Sequence, residues 1–550
     1  MAVFEEKKIG IWGAGIFLLL LFALTFPLWH LVDREMLGME GELAVAVTEM
    51  SGNELAPTTH GYLSDAPPLF LLLAKIFSLA GLPLLYVLRG ISVLSYFILT
   101  TLVFFVSRRN CGGTQAACAA AAVMMSTVVI FDKLPFGSPM ALTALLLYSG
   151  WIVWIELTIR RSNWNLAWIF AGLFGTLIYC NAGLTGLIYF FVPLFLQRRP
   201  LTVWPKLGHT GMYYGAVLIL GTAAFLAFLQ NGLPKPPVET GSSMVFGEYF
   251  TQIVVFPFAA FVRLLPWSIF LWAPFCAALI PLQDNPLFGK FHRILFISLF
   301  ILIWFNPGSA SRDLFCLMPL IATMIGSYYW IIVRRYGERI CKFSAFYAWG
   351  ILAAAVLVAL FLFLPPDLIS GLLRSVWLQG SFLQDVKQLP VRLYSVLPEI
   401  ILPAIAALII LCFKRKIPCW LAISMLFCSS ILVQFPLRAP YHRAARERQN
   451  FATRLEHIFQ MRNLKPGQDM IYTNINGLYA EGFYAGYGFR YTDTEKIPEE
   501  KQVIYLLTAK TPLNPTRSWN LVAEMEYKEQ RLFIYEGQLN RSEDDYDNEI

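Results

Sequence analysis

Long apolar runs separated by basic doublets are the feature that most constrains this chain. Of its 550 residues, 57% are hydrophobic and 14% are charged, whereas soluble domains carry about 25% charged residues. A membrane span needs about 20 mostly apolar residues, so we predict an all-α polytopic membrane protein with about 13 spans. The runs cover residues 9–32, 82–107, 115–131, 140–159, 165–180, 184–197, 212–230, 267–282, 294–305, 314–333, 345–364, 393–413 and 420–435.

The basic residues predict the orientation, because short cytoplasmic loops are enriched in Lys and Arg. With a cytoplasmic N-terminus, every basic doublet lies on the inner side, and an odd number of spans places the C-terminus outside. The doublets and triplet are Lys7-Lys8, Arg108-Arg109, Arg160-Arg161, Arg198-Arg199, Arg334-Arg335 and Lys414-Arg415-Lys416. The net charge of +7 therefore reflects topology, and we predict no nucleic-acid partner. The nine cysteines are scattered in or beside spans, which indicates no disulfide or zinc framework.

Composition divides the chain into a membrane domain, 1–437, and a C-terminal domain, 438–550. In the membrane domain three predicted outer segments are longer than ordinary helix connections: 33–81, 231–266 and 365–392. In the tail, a polar amphipathic helix precedes strand patterns in "DMIYTN" and "KQVIYLLTA" and a hairpin pattern in "WNLVAEMEYKEQRLFIYEG". We predict a small extracytoplasmic, periplasmic α/β domain that ends in a disordered acidic tip, "SEDDYDNEI".

The first outer loop begins with "GMEGELAVAVTEM". Its apolar positions follow the helical spacing i, i+3, i+4 and i+7: Leu43, Ala46, Val47 and Met50. Glu42 and Glu49 lie on a different face, which predicts an interfacial amphipathic helix with a wet side. Glu40 precedes the regular stripe, at the point where the chain turns out of the first span. Glu40 is therefore a candidate functional acid, and the alternative is that all three carboxylates are solvated.

The order of residues in this loop resembles the first outer loop of polyprenyl-phosphate-dependent glycosyltransferases of the GT-C superfamily. The resemblance is to the bacterial enzymes similar to 4-amino-4-deoxy-L-arabinose (lipid A) transferase and to protein mannosyltransferases. The matching loop residues are Glu40, Glu49-Met50, Gly52, Pro57, Gly61-Tyr62 and Pro67-Pro68-Leu69. Later matches are Arg89 at the outer start of a span, Pro266-Trp267, and Arg312 with Pro319.

The resemblance implies a bacterial inner-membrane enzyme that transfers a sugar from an undecaprenyl-phosphate-linked donor to a lipid or glycan acceptor. Such chemistry needs a carboxylate to accept a proton and cations to bind the departing phosphate. Arg89 and Arg312 are the candidates for donor phosphate binding. An arginine at membrane depth costs free energy, which makes it a candidate for function, and its planar guanidinium suits a phosphate. The alternative is that either arginine snorkels to the interface as an anchor, as we expect for Arg263.

Three positions depart from the pattern of the family. Met39 stands where the family has Asp, Ala66 where it has Lys, and Ser138 where it has the second Asp. The candidate catalytic acids that remain nearby are Glu40, then Asp132, then Asp65. For Asp132 the alternative is a solvated interfacial pair with Lys133.

The remaining polar residues indicate no metal centre. His60 and His442 are isolated, so we predict no metal site, and a divalent cation shared by carboxylates is the only cofactor left open. Tyr62 and Trp267 are expected in the interfacial aromatic belt. Two further functions stay open: a catalytically degenerate scaffold that binds the polyprenyl carrier or an envelope-assembly partner, and a transporter, which the absence of internal repeats disfavours.

Overall fold

The structure is a computed structural model. It describes residues 10–29, 35–36, 39–50, 58–59, 62–197, 206–231, 246–307, 311–363, 393–413, 416–444, 447–466, 469–475, 477–491, 503–509, 511–512, 517–528 and 530–539. Several predicted features lie outside these residues: residues 232–245 of the predicted middle outer segment, the third outer segment, the acidic tip, and Gly52, Pro57, His60 and Gly61.

The described chain is mostly helical. The helices are α1 Ile11–Trp29, α2 Met39–Glu49, α3 Pro68–Leu79, α4 Leu84–Asn110, α5 Thr114–Met125, α6 Val128–Lys133, α7 Met140–Ile155, α8 Trp164–Phe195, α9 Thr210–Gln230, α10 Phe246–Arg263, α11 Pro286–Phe305, α12 Met318–Phe363, α13 Leu393–Cys412, α14 Cys419–Ala444, α15 Glu447–Met461 and α16 Tyr479–Ala485. The strands are β1 Thr58–Thr59, β2 Tyr62–Leu63, β3 Met470–Thr473, β4 Gly488–Tyr491, β5 Val503–Thr508, β6 Arg517–Tyr527 and β7 Gln530–Leu539.

Two compact units divide the chain differently from the predicted domains. The membrane unit comprises Met1–Arg34, Arg89–Phe225 and Glu239–Arg443, and the second unit comprises Glu35–Leu88, Leu226–Val238 and Ala444–Ile550. The segment around the first predicted outer loop thus groups with the C-terminal tail rather than with the membrane helices. The physical reason is that α2 packs directly on α16.

The count of about 13 spans is not confirmed. Among the described residues, six helices are long and apolar enough to cross a membrane, or seven if a pair bent by 100° is one span. Five more apolar helices have 10 to 17 residues. Large apolar side chains on α9 face outward, such as Phe228 at 74% exposure, as expected for a helix in contact with lipid.

Helix α8 turns back on itself at Gly183. This residue leaves the helical conformation, with φ 59° and ψ −152°. Trp168 stacks on Phe195 at a centroid distance of 5.9 Å, whereas 27 residues of straight helix would separate them by about 40 Å. The two predicted runs 165–180 and 184–197 are therefore two halves of one helical hairpin.

Three other predicted runs differ from separate membrane-spanning helices. Residues 267–282 form short 3-10 segments, Trp267–Phe270, Ala273–Phe275 and Ile280–Leu282, because prolines interrupt the run. Helix α12 is continuous over 46 residues and contains most of both runs 314–333 and 345–364. At 1.5 Å per residue it is about 69 Å long, more than twice the roughly 30 Å of a hydrocarbon core.

The tail contains a five-stranded sheet in the order β4-β3-β5-β7-β6. β3 pairs in parallel with β4 and β5, and β7 pairs antiparallel with β5 and β6. Helix α15 covers one face through Phe451, Leu455 and Phe459, which pack with residues of the sheet. The predicted tail helix, both strands and the hairpin are thus present, and β4 is an additional strand that follows α16.

The turn in α8 generates a prediction. The conformation of Gly183 is accessible almost only to glycine and costs other residues about 1–3 kcal/mol, and no atom lies near enough for a new Cβ to clash. Gly183→Ala is therefore expected to lower the melting temperature of the purified protein in detergent. The matched control is Gly221→Ala, in the exposed α9 helix with nothing within 4 Å. Equal melting temperatures for both variants would contradict the hairpin.

Candidate functional site

Helix α2 carries Glu40, the first-ranked acid. Glu40 is the second residue of the helix and is only 1% exposed. The predicted apolar stripe is confirmed as buried, but Ala44 and Val45 are buried as well. The prediction of an interfacial helix with a wet side is therefore wrong for most of its length, because α2 is enclosed. Glu42 and Glu49 are half-buried and Thr48 is exposed.

Close packing against α16 explains why α2 is enclosed. A Cβ on Gly41 would lie 2.6 Å from the backbone nitrogen of Ala480, so only glycine permits this approach. Just before α2, the backbone N–H of Met36 donates to the hydroxyl of Tyr484 at 2.8 Å. The Arg448 guanidinium donates to the carbonyl oxygen of Met36 at 2.6 Å. The tail therefore fixes both the start and the first turn of the helix that bears Glu40.

Glu481 is the centre of the polar contacts that hold this arrangement. It is 1% exposed and accepts a hydrogen bond from the Tyr527 hydroxyl. Its Oε1 lies 3.5 Å from Nε of Arg448 and 3.6 Å from Nζ of Lys528. A buried carboxylate is tolerated only with such partners. The sequence analysis missed Glu481, although a lone acid in the apolar stretch "LYAEGFYAGYGF" was a usable signal.

The contact between α2 and α16 generates a prediction. Gly41→Ala places a methyl group against the backbone at Ala480, and overpacking of this kind costs about 1–3 kcal/mol. We expect faster hydrogen exchange of the α2 and α16 amides, measured by mass spectrometry on the full chain. Thr48→Ala, an exposed change on the same helix, is the control and should leave exchange unaltered. Unchanged exchange in Gly41→Ala would contradict the contact.

The residues after β2 include Asp65, the second candidate acid of the first outer loop. The hydroxyl of Ser64 donates to Oε1 of Glu42 at 3.4 Å and accepts from the backbone N–H of Ala66 at 3.1 Å. Ala66, at the position where the family has Lys, is 2% exposed. Asp65 is exposed. Asp65 therefore lies in solvent, beside a buried position that carries no charge.

Arg89 lies near the start of α4 and is 1% exposed, which makes it one of the largest fully buried side chains in the described structure. Ser92 lies three residues further on the same face, and its hydroxyl donates to the carbonyl oxygen of Ser138 at 2.8 Å. The Asn181 amide donates to the carbonyl oxygen of Pro139 at 3.0 Å. The Ser138-Pro139 position, where the family has Asp-Pro, is therefore fixed beside the helix turn that follows Arg89.

The same stretch, residues 126–139, contacts the Pro266-Trp267 motif. The indole Nε1 of Trp267 donates to the hydroxyl of Ser126 at 3.0 Å, and the Val128 N–H donates to the carbonyl oxygen of Leu265 at 3.2 Å. Trp267 is 3% exposed. The prediction that Trp267 belongs to the aromatic belt is therefore wrong, because its ring is buried and hydrogen-bonded.

Arg312 lies in a 3-10 helix, Ser311–Cys316, directly before α12. This short helix packs against α6 and α7, so it borders the 126–139 stretch. Arg312 is half-buried and the adjacent Asp313 is buried. The elements that carry Arg89, Arg312 and Trp267 thus all meet one segment of the membrane unit.

Asp132 lies within that segment but on its surface. Its carboxylate pairs with Nζ of Lys133 at 3.2 Å, and the two side chains are 48% and 32% exposed. Exposed pairs of this kind contribute little to stability. The arrangement matches the solvated-pair alternative. Of the three candidate acids, only Glu40 is buried. In the part of the chain that the structure describes, no three His, Cys, Asp or Glu side chains are placed to bind a metal together.

The overall fold has solved counterparts. The chain is a mostly helical, multi-pass membrane protein with a small C-terminal sheet, and it shares its fold with two structures of ArnT. The structure of ArnT from Cupriavidus metallidurans in the apo state superimposes with a TM-score of 0.64 at 16% identity. The same protein bound to undecaprenyl phosphate superimposes with a TM-score of 0.62 at 16% identity.

Each superposition covers 95% of this chain and 98% of the ArnT chain. ArnT is a lipid A 4-amino-4-deoxy-L-arabinose transferase of the GT-C type. The resemblance stated from the loop motifs is therefore confirmed at the level of the fold. No protein-family model matches the sequence, and no curated protein matches it either.

Proposed function

We propose that this chain is a polyprenyl-phosphate-dependent glycosyltransferase of a bacterial inner membrane. It transfers a sugar from an undecaprenyl-phosphate-linked donor to a lipid or glycan acceptor on the outer face. The observation that carries the proposal is the burial of two charges, Glu40 and Arg89, each at 1% exposure, on a fold shared with an ArnT structure that holds undecaprenyl phosphate. Buried charges are costly and mark functional sites in membrane proteins.

The reaction assigns a separate role to each charge. The bond between the anomeric carbon of the sugar and the phosphate oxygen breaks, and the oxygen of an acceptor hydroxyl bonds to that carbon. The bonding electrons leave with the polyprenyl phosphate, whose charge the guanidinium groups of Arg89 and Arg312 bind as planar donors. The hydroxyl proton passes to the carboxylate of Glu40, which acts as general base.

A catalytically degenerate scaffold that binds the carrier is the second candidate. Met39, Ala66 and Ser138 carry no charge where the family has Asp, Lys and Asp. Asp65 and Asp132 are exposed, and neither replaces a buried acid. In this second function, Arg89 and Arg312 bind the phosphate of the carrier, and no sugar is transferred.

Replacing Glu40 separates the two candidates. Glu40→Gln preserves the shape of the side chain and removes the base, so transfer should fall about 10²- to 10⁴-fold while undecaprenyl phosphate still binds. The measurement is release of undecaprenyl phosphate from a panel of undecaprenyl-phosphate sugars by the purified protein. Glu49→Gln, on the same helix and half-buried, is the matched control. If the wild-type protein binds undecaprenyl phosphate but releases none of it from any donor sugar, the result supports the scaffold function. If Glu40→Gln and wild type release it at equal rates, Glu40 is not the general base.

Replacing Arg89 tests carrier binding alone. Arg89→Lys keeps the positive charge but cannot form the paired hydrogen bonds of a guanidinium. The loss of a hydrogen bond to the charged phosphate should weaken undecaprenyl phosphate binding roughly tenfold to hundredfold. Binding is measured as the shift in melting temperature with increasing undecaprenyl phosphate. Arg263→Gln, at the half-buried end of α10, should leave the shift unchanged. An equal shift for Arg89→Lys and wild type would refute the assignment of Arg89.

A further inference from the structure

A second polar cluster lies in the membrane unit, outside the proposed active site. It includes Glu156, which begins a π-helical turn, Glu156–Arg160, at the end of α7, and such turns recur at functional sites. Oε1 of Glu156 lies 3.3 Å from Nη2 of Arg109 and 3.3 Å from Nη1 of Arg160. Nη2 of Arg160 also donates to Oδ1 of Asn110 at 3.2 Å. Two arginines thus share one carboxylate, which leaves one net positive charge.

These side chains line a cavity of about 210 Å³. Its charged end contains Arg109, Glu156, Arg160 and Asn110, and apolar side chains complete the wall. The apolar wall consists of Phe105, Val106, Ile152, Ile155, Ile159, Leu287 and Phe288. The cavity is smaller than the roughly 300–1,000 Å³ of drug-sized sites, so it fits the head of a ligand whose remainder lies outside.

Three features give the cavity an affinity for anions. The first is the net positive charge. The second is the start of α11, where Asn285 caps the backbone N–H of Phe288, because a helix N-terminus carries a partial positive charge. The third is unused donor capacity: Arg109 is 63% exposed and its guanidinium carries five N–H donors. Among the described residues, its contact with Glu156 involves only Nη2.

The surroundings identify the chemical class of the anion. Phe105 is 57% exposed on a helix long and apolar enough to span a membrane, so the apolar side of the cavity faces hydrocarbon. The charged side lies at the ends of α4 and α7, where Arg108-Arg109 and Arg160-Arg161 are the doublets assigned to the cytoplasm by the positive-inside rule. An acidic head joined to acyl chains matches both sides at once.

We propose that this cavity binds an anionic glycerophospholipid of the cytoplasmic leaflet. The phosphate lies against Arg109 and Arg160, and the acyl chains extend along Phe105 and Ile159. Such a lipid holds together the ends of α4, α7 and α11. The site requires no sugar transfer and does not depend on the proposed active site.

Native mass spectrometry of the full chain tests this site, with phosphatidylglycerol and phosphatidylcholine of matched acyl chains as probes. Wild type is expected to retain phosphatidylglycerol preferentially, and Arg109→Gln with Arg160→Gln should weaken its binding about fivefold for each arginine removed. Arg108→Gln and Arg161→Gln remove neighbouring charges that do not line the cavity, and they should bind as wild type. Melting temperatures without added lipid establish that each variant is folded.

Asn110→Asp is a second variant that keeps the acceptor for Arg160 and adds a negative charge inside the cavity. Weaker binding of phosphatidylglycerol by this variant supports the site, and unchanged binding contradicts it. Equal retention of both lipids by wild type, or equal loss in the control variants, would also overturn the proposal. Sodium phosphate that displaces the lipid at an equal concentration would do the same, because the acyl chains would then contribute nothing to the affinity.

Discussion

The free-energy cost of removing a charge from water is the constraint on which the account of this protein depends. Moving a charged group from water into an apolar interior costs several kcal/mol, so buried charged side chains in a membrane protein are candidates for function. Here Glu40 and Arg89 are each 1% exposed, one in each compact unit. The surrounding structure is arranged to tolerate them. The glycine contact at Gly41 and the tail contacts at Met36 fix the helix of Glu40, and a serine hydroxyl fixes the chain beside the turn after Arg89.

Hydrophobic patterning predicted the parts of the fold that depend on burial alone. The apolar stripe of α2, the tail strands and the hairpin β6–β7 all occupy the predicted places, because periodicity reports directly which face is buried. The apolar pattern gave wrong span boundaries where the backbone conformation of a few residues determines the structure. Gly183 turns two runs into a hairpin, whereas the chain between the runs 314–333 and 345–364 stays helical within α12. Prolines reduce 267–282 to 3-10 turns, although the run is apolar enough for a span.

The candidate site was predicted in part, for a related reason. The resemblance to the glycosyltransferase motifs identified Arg89, Arg312 and Trp267 separately, and in the structure their elements meet the 126–139 segment. Periodicity could not reveal that α16 encloses α2, because that contact joins residues more than 400 positions apart. Burial distinguishes the three candidate acids more clearly than the sequence does, because Asp65 and Asp132 are exposed and Glu40 is buried. The uncharged residues Met39, Ala66 and Ser138 remain the reason to weigh a scaffold against an enzyme.

A structure of the full chain with undecaprenyl phosphate, determined by electron cryomicroscopy, tests the central claim most directly. If the fold binds the carrier through its buried arginine, the phosphate oxygens will lie within about 3 Å of the Arg89 guanidinium nitrogens. Density for the head group far from Arg89 would contradict the account.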